Sequence, residues 1–270
     1  MNNALHRSAD VVEGPFVWHP HAVQFYESDA YLAGAVATYL ATGFAEGRAG
    51  VVIGTEPHRR AIARELQRFG FDPDFLVGEY KLTLVDAPTT LASLMINGAP
   101  DAELIRTLAE PMLRRAAAHS NGGRPLVCGE MVDLLWRSGQ RAAAIQLENI
   151  WNKMAKTFPM DILCWYLLDG FAAAADAAGF AEVCRAHSVV IPTERFTEVS
   201  DEERLIEVSM LQQRAKALET ELDKSSRLEL KLRLALEREH GAREELGRIE
   251  RSQRDLLALI TNLLHSHDAS

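Results

Sequence analysis

Apolar residues in the first 196 positions form short, almost continuous runs that alternate with longer stretches of helical spacing. The runs predict β-strands over residues 22–26, 50–55, 81–86, 126–129 and 161–168, since parallel strands covered on both faces are apolar without strict alternation. The intervening stretches predict helices over residues 29–46, 56–69, 101–119, 140–157 and 172–187, with Asp29 and Asp101 as N-caps and Gly47 and Gly70 as stops. This repeat predicts an α/β fold, a three-layer αβα sandwich with a mainly parallel sheet.

A different pattern begins at Thr197, because every aromatic residue lies at or before Phe196 and every proline at or before Pro192. Alternating steps of three and four from Leu211 to Leu264 visit sixteen positions, of which ten are apolar. This seam predicts a long C-terminal α-helical coiled coil that forms a homodimer. The predicted dimerisation residues are Leu211, Leu218, Leu222, Leu232, Leu236, Leu246, Leu257 and Ile260.

The coiled-coil seam weakens between Glu239 and Gln253, where Gly241 and Gly247 also lie, and we expect a break or a register shift there. The chain is thus predicted to have three parts: a flexible segment at 1–18, an α/β domain at 19–196 and a coiled coil at 197–270. The strand polarity of the coiled coil is left open.

Open α/β sheets bind ligands in the crevice beyond the carboxyl ends of their strands. The strand assignment places eight candidate ligand-binding residues there: Tyr26, Glu27, Asp29, Thr55, Glu56, His58, Asp86 and Glu130. The acids among them have two competing interpretations, since carboxylates at helix starts also act as caps. A catalytic role is a third interpretation of these acids.

The first strand-to-helix turn reads Tyr26-Glu27-Ser28-Asp29, where a nucleotide-binding domain would carry a glycine-rich phosphate loop. Two carboxylates repel phosphate, and the sequence has no G-x-x-x-x-G-K-[ST] motif. Glu130 nevertheless follows a strand where an ATPase would place its metal-coordinating or water-activating acid. We therefore predict no catalytic residues, with a nucleotide hydrolase or phosphotransferase as an alternative.

Composition narrows the function further. The net charge of -9 argues against direct nucleic-acid binding. No apolar run is long enough for a membrane span, and three scattered cysteines fit a reducing cytoplasm, with two of them interpreted as core residues.

His19 and His21 lack a third ligand at a diagnostic spacing, so neither a metal site nor a cofactor is predicted. His265 and His267 are interpreted as part of a polar terminus; whether either is phosphorylated is left open.

Several phrases in order resemble the MEDS domain, the methanogen/methylotroph, DcmR sensory module of signalling proteins. They are HAVQFYESD at 21–29, GVVIGT at 50–55, GEMVDLLW at 129–136, LENIWN at 147–152 and HSVVIP at 187–192. The resemblance implies a degenerate RecA/KaiC-like fold and a sensory role. It does not identify a ligand, and this sequence lacks the helix-turn-helix or kinase core that often accompanies the domain.

Together these features predict a non-catalytic, cytoplasmic sensory regulator. Its α/β domain would detect an unidentified small molecule or a protein partner, and its coiled coil would relay the change to a two-component or transcriptional pathway. An interaction scaffold that binds a histidine kinase or response regulator without a small ligand is the alternative from a different class.

Overall fold

The computed structural model describes residues 20–267, so the predicted flexible segment 1–18 and His19 lie outside the described residues. The strands are β1 (His21–Tyr26), β2 (Gly50–Gly54), β3 (Leu82–Asp86), β4 (Met95–Ile96), β5 (Ala99–Pro100), β6 (Leu126–Gly129), β7 (Asp161–Leu167) and β8 (Val189–Ile191). The helices are α1 (Asp29–Ala45), α2 (Glu56–Arg68), α3 (Pro73–Gly78), α4 (Ala87–Leu94), α5 (Ala102–Ala118), α6 (Met131–Arg137), α7 (Arg141–Thr157), α8 (Ala177–Ala186), α9 (Glu194–Thr197) and α10 (Asp201–His267).

Six of the strands form one parallel sheet in the order β3-β2-β6-β7-β1-β8. The register pairs Gly50 with Leu82 on one side and with Leu126 on the other. The short strands β4 and β5 form a separate antiparallel hairpin. Its turn consists of Asn97 and Gly98, both with positive φ (52° and 79°), as a two-residue type I′ turn requires.

Helices cover both faces of the large sheet. On one face, α1, α2 and α3 pack Leu40, Ile62 and Leu76 against the strands. On the other face, α4 to α8 contribute a second apolar cluster that includes Ile105 and Leu147. The predicted three-layer αβα sandwich with a parallel sheet is therefore confirmed.

The long elements match their predicted positions, whereas several short ones were not predicted. The missed elements are α3, α4, α6, α9 and the β4–β5 hairpin. Gly47 and Gly70 follow the ends of α1 and α2 with φ of 76° and 83°, as predicted. Asp101 caps α5 as predicted, but the N-cap of α1 is Ser28 rather than Asp29, since the Ser28 side chain accepts a hydrogen bond from Tyr31 N.

The predicted helix over 172–187 forms only in its second half. Two 3₁₀ turns, Leu168–Phe171 and Ala174–Asp176, occupy the preceding segment, and α8 begins at Ala177. The Leu168–Phe171 turn is held against α6 by the Trp136 Nε1 hydrogen bond to Gly170 O, at 2.9 Å.

At the amino ends of the central strands, buried Asp161 joins two arginines. Asp161, the first residue of β7, accepts hydrogen bonds from Arg48 and Arg124, which precede β2 and β6. Arg48 Nε also donates to Arg124 O at 2.9 Å. This cluster ties together the starts of three neighbouring strands.

The chain divides into two units between Val199 and Ser200. The second unit contains α10, a continuous helix of 67 residues. The predicted long C-terminal helix is thus present. The helix continues through Gly241 and Gly247, so the predicted break in it is wrong. A register shift between two paired helices stays a prediction.

The apolar seam of α10 faces solvent in the single chain. Seven of the eight predicted dimerisation residues are exposed: Leu211, Leu218, Leu222, Leu232, Leu236, Leu246 and Leu257. Ile260, His265 and His267 belong to α10, but their side chains lie outside the described ones.

Candidate functional site

The carboxyl ends of β2 and β6 border a crevice in the sheet. The chain leaves β2 toward α2 on one face and leaves β6 toward α6 on the other, because Ile62 and Leu135 belong to opposite apolar clusters. Such a divergence opens a crevice between neighbouring strands. Thr55 and Glu130 are the first residues beyond the two strands.

Glu130 is fully buried at this crevice, and both its carboxylate oxygens have partners. Oε1 accepts a hydrogen bond from Thr55 N, and Oε2 lies 2.7 Å from His58 Nδ1. Burial raises the pKa of Glu130, but the hydrogen bond and charge of His58, together with the Thr55 amide, bring it below its ordinary value. The site therefore holds an ionised carboxylate.

His58 connects this buried carboxylate to the surface. Its Nε2 lies 3.3 Å from Oδ1 of exposed Asp29, the first residue of α1. Burial lowers the pKa of His58, but Glu130 and then Asp29 raise it above its ordinary value. The Tyr26 ring stands edge-on to the imidazole with centroids 6.1 Å apart, and burial, then Asp133 and Glu130, raise the pKa of Tyr26.

Asp86 is connected to the crevice through Arg59. It caps α4 by accepting from Thr89 N, and its other oxygen lies 2.8 Å from Arg59 Nη1. These bonds lower the pKa of Asp86 to about 2. Since Arg59 Nη1 also donates to Gly54 O at 2.7 Å, this pair fastens the end of β2.

The first strand-to-helix turn is occupied by a carboxylate from elsewhere in the chain. Glu27 N donates to Glu194 Oε2 at 3.0 Å, and hydrogen bonds from Ser28 also reach the Glu194 carboxylate. Glu27 itself accepts a hydrogen bond from Thr193 Oγ1 at 3.2 Å. A carboxylate at a helix N-terminus takes the place that a phosphate takes in nucleotide-binding turns.

The structure thus divides the eight predicted ligand-binding residues into two groups. Five share one contact network: Tyr26, Asp29, Thr55, His58 and Glu130. The other three have separate partners: Glu27 contacts Thr193, Glu56 pairs with Arg60 within α2, and Asp86 pairs with Arg59.

Asp133 is a buried acid beside the crevice that the sequence analysis did not select. Its Oδ1 accepts from Leu167 N at 3.2 Å, and Oδ2 lies 2.8 Å from Arg137 Nε. Burial, and to a lesser extent Glu130, raise the pKa of Asp133 to about 6 although Arg137 opposes the shift. Its only sequence signal is an acid among the apolar residues of a seven-residue helix.

A second polar cluster, which was not predicted, is buried between the sheet and helices α7 and α8. His21, Glu148, Cys164 and His187 bring four side-chain atoms able to bind a metal within 4.8 Å of one another. Cys164 was interpreted as a core residue because it lies in an apolar run. The overlooked signal is Glu148, an acid on the apolar face of α7 between Leu147 and Trp151.

An apolar cavity of about 220 Å³ lies between the sheet and helices α4 and α5, beside the Glu130 loop, the connection at Glu130 between β6 and α6. Ile53 and Met131 form part of its wall, and Ile53 O accepts a hydrogen bond from Glu130 N at 3.1 Å. The remaining lining residues are Val85, Thr90, Ser93, Leu94, Ile105, Leu108, Ala109, Met112 and Trp151.

Within residues 20–267, no helix is both long enough and apolar enough to span a bilayer.

Comparison with known proteins identifies the family of this chain and a likeness to solved structures. No curated protein matches the chain. Among solved structures, the chain is similar to the KaiC-like protein PH0186 from Pyrococcus horikoshii OT3, with 19% identity and a TM-score of 0.37. The likeness covers 54% of this chain and 62% of that chain. The family model of the MEthanogen/methylotroph, DcmR Sensory domain matches residues 20–188, more than half of the sequence, and the chain therefore belongs to the MEDS family.

Proposed function

We propose that this protein is a non-catalytic sensory regulator whose α/β domain binds a small, largely apolar molecule in the cavity beside the Glu130 loop. The observation that carries the proposal is the position of this cavity. Its wall includes Met131, which follows Glu130, and Ile53, which hydrogen-bonds Glu130. Membership of a sensory-domain family supports the same role.

The cavity limits the size and polarity of the ligand. Its volume of about 220 Å³ is below the range of roughly 300–1,000 Å³ that holds drug-sized ligands. A molecule of a few heavy atoms fits such a space. Most lining side chains are aliphatic or thioether groups, and the hydroxyls of Thr90 and Ser93 can recognise one polar substituent.

The ligand would change the protein through the Glu130 loop. A molecule that packs against Met131 and Ile53 shifts the equilibrium only if it prefers one arrangement of that loop. Glu130 is bonded to His58, and His58 contacts Asp29 on the surface. A displacement of Glu130 therefore alters the contact of buried His58 with exposed Asp29 at the start of α1.

Two contacts support a role without catalysis. The Glu194 carboxylate occupies the turn where a phosphate would bind, and the Glu130 oxygens are engaged by Thr55 and His58. Magnesium-dependent ATP or GTP turnover by the purified chain would contradict this part of the proposal and favour the hydrolase alternative.

For the output, we propose that two copies of α10 pair through the leucine seam and relay the change. In this proposal the two paired helices change their register, or move apart, near Gly241 and Gly247. A histidine kinase or response regulator is the proposed downstream partner. The three free cysteines fit a reducing compartment, and we place the protein in the cytoplasm.

The test is a thermal-shift screen of the full chain with small neutral organic molecules. A ligand at a hundredfold excess over its Kd stabilises the folded state by about 2.7 kcal/mol. Ala109→Met fills the cavity and should abolish the shift. Ala118→Met makes the same change at an exposed position of α5 and should preserve it.

Two results would contradict the sensor. If no compound of this class shifts the melting temperature, the scaffold alternative is favoured. If the shift persists in Ala109→Met, the ligand binds elsewhere.

A further inference from the structure

Four buried side chains from four elements converge on one point of the α/β domain, away from the proposed ligand cavity. His21 begins β1, Cys164 lies in the adjacent strand β7, Glu148 lies in α7, and His187 follows α8. Their exposed fractions are 2%, 3%, 0% and 8%. A group of two imidazoles, a thiol and a carboxylate is costly to bury unless its members are mutually compensated.

Four of the six distances among these atoms match the edges of a tetrahedron around a metal ion, and all six are within 4.8 Å. His21 Nε2 lies 3.3 Å from both Cys164 Sγ and Glu148 Oε2. Glu148 Oε2 lies 3.3 Å from His187 Nε2 and 3.5 Å from Cys164 Sγ. Ligands at zinc distances of about 2.0–2.3 Å are separated by roughly 3.3–3.8 Å when their angles are tetrahedral.

Neighbouring groups hold each imidazole with its Nε2 toward this point. His187 Nδ1 donates to Val183 O at 2.7 Å, which places the proton on Nδ1. His21 Nδ1 donates to Asn152 Oδ1 at 3.0 Å, and Asn152 Nδ2 donates to Ala186 O, which fixes the orientation of the amide. Metal-binding histidines are oriented by this kind of second hydrogen bond.

The carboxylate is oriented in the same way. Tyr166 Oη donates to Glu148 Oε1 at 2.8 Å, which leaves Oε2 toward the two histidines. Cys164 Sγ is within hydrogen-bond distance of both His21 Nε2 and Glu148 Oε2, whereas His187 Nε2 makes no hydrogen bond within the described part of the chain. A metal ion between the four atoms would give the buried His187 Nε2 a partner and would contact all four, because they lie within 4.8 Å of one another.

We propose that His21, Glu148, Cys164 and His187 form a binding site for a divalent transition metal of the zinc class. Four donors of mixed nitrogen, sulfur and carboxylate type favour zinc over magnesium or calcium. On binding, the Cys164 thiol releases its proton to solvent, and the thiolate and the Glu148 carboxylate neutralise the two positive charges. Four protein ligands close the site, so the metal stabilises the fold by joining β1, β7, α7 and α8. This proposal is independent of the ligand cavity.

The first test uses the full chain expressed with zinc and analysed by mass spectrometry for metal content. We expect about one zinc per chain, as a closed structural site retains its metal. Cys164→Ser should lose it, whereas Cys184→Ser, a matched change at the half-buried cysteine outside the cluster, should keep it. Asn152→Ala should weaken zinc binding by about 10–100-fold.

Cobalt substitution of the wild-type chain decides the question even if Cys164→Ser fails to fold. Tetrahedral coordination gives intense visible bands and a near-ultraviolet thiolate-to-cobalt charge-transfer band, and both should survive in Cys184→Ser. Weak octahedral bands without charge transfer would mean adventitious binding to surface histidines and would overturn the proposal. So would a wild-type chain that stays metal-free after refolding with zinc, or equal zinc retention by the two serine variants.

Discussion

Asp133 shows how burial sets the charge of a single side chain in this protein. It is fully buried in α6, and burial is the largest cause that raises its pKa from 3.8 to about 6. Arg137 and the Leu167 amide reduce the shift without cancelling it. The ionised form of Asp133 is therefore disfavoured in the folded state relative to the unfolded chain.

The first residue-scale prediction concerns the pH dependence of stability. An acid whose pKa is higher in the folded state contributes stability that is fully present below pH 4 and is lost as the pH rises through about 6. A shift of about two pKa units corresponds to roughly 3 kcal/mol. Asp133→Asn removes this contribution, so its free energy of unfolding relative to wild type should rise by up to that amount between pH 4 and pH 7.

Urea denaturation of both proteins at a series of pH values measures this difference. Arg137→Gln is a second useful variant, because Arg137 lowers the pKa of Asp133. In this variant the loss of stability that accompanies ionisation of Asp133 should occur at a higher pH than in the wild type. A constant difference between Asp133→Asn and wild type across the range would show that Asp133 keeps an ordinary pKa.

The sequence allowed Glu130, His58, Thr55, Tyr26 and Asp29 to be selected, because all five lie at or just beyond the ends of predicted strands at one edge of the sheet. It did not allow their roles to be separated from those of Glu56. Buried acids on helices, such as Asp133 and Glu148, were missed for a physical reason. Their burial depends on how a helix is rotated against the sheet, which apolar spacing specifies only to within part of a turn.

At the scale of secondary-structure elements, the cluster of Asp161, Arg48 and Arg124 carries a second prediction. The Asp161 carboxylate is fully buried and accepts from both guanidinium groups. Asp161→Ala leaves buried charge without its counterion, which typically costs about 3–5 kcal/mol. We expect a loss of this size in the free energy of unfolding, measured by denaturant titration.

The control for this prediction is Glu103→Ala, which breaks the exposed ion pair with Arg106 in α5. Solvent screens that pair, so the stability should change little. Equal effects of the two substitutions would mean that the Asp161 cluster does not hold the starts of β2, β6 and β7 together.

The length of an element decided whether its sequence could predict it. Helices such as α5 and α7, each of 17 residues, contain more than four turns over which apolar spacing can repeat. The missed helices α3 and α6 have six and seven residues, too few for a periodic signal. Local capping did leave traces: Asp72 precedes Pro73 at the start of α3, and Asp86 lies two residues before Pro88 in α4.

At the scale of the whole molecule, the spacing of apolar residues predicted an α/β region followed by a long helix, and composition marked the boundary between them. The partner of that helix, predicted to be a second copy of the chain, stays a prediction. A helix of 67 residues is roughly 100 Å long and cannot bury its own seam. The seam is self-complementary, since the same residues can pack knobs-into-holes against a second copy.

The last prediction follows from the geometry of that seam. Leu218 and Leu222 occupy core positions of the heptad, whereas Leu230 and Leu234 fall on its outer face. All four are exposed in the single chain, with exposed fractions of 64%, 67%, 59% and 45%, so exposure does not distinguish them. Leu218→Lys with Leu222→Lys should convert a dimer into a monomer, because paired helices cannot bury four ammonium groups in two adjacent core layers.

Light scattering coupled to size exclusion measures the mass of each full-length variant. Leu230→Lys with Leu234→Lys makes the same chemical change on the outer face, and that variant should remain a dimer. A monomeric wild-type chain would remove the proposed relay altogether. Loss of dimerisation in the outer-face variant alone would instead assign the interface to a different face of α10, since only residues within an interface lose contacts when they become charged.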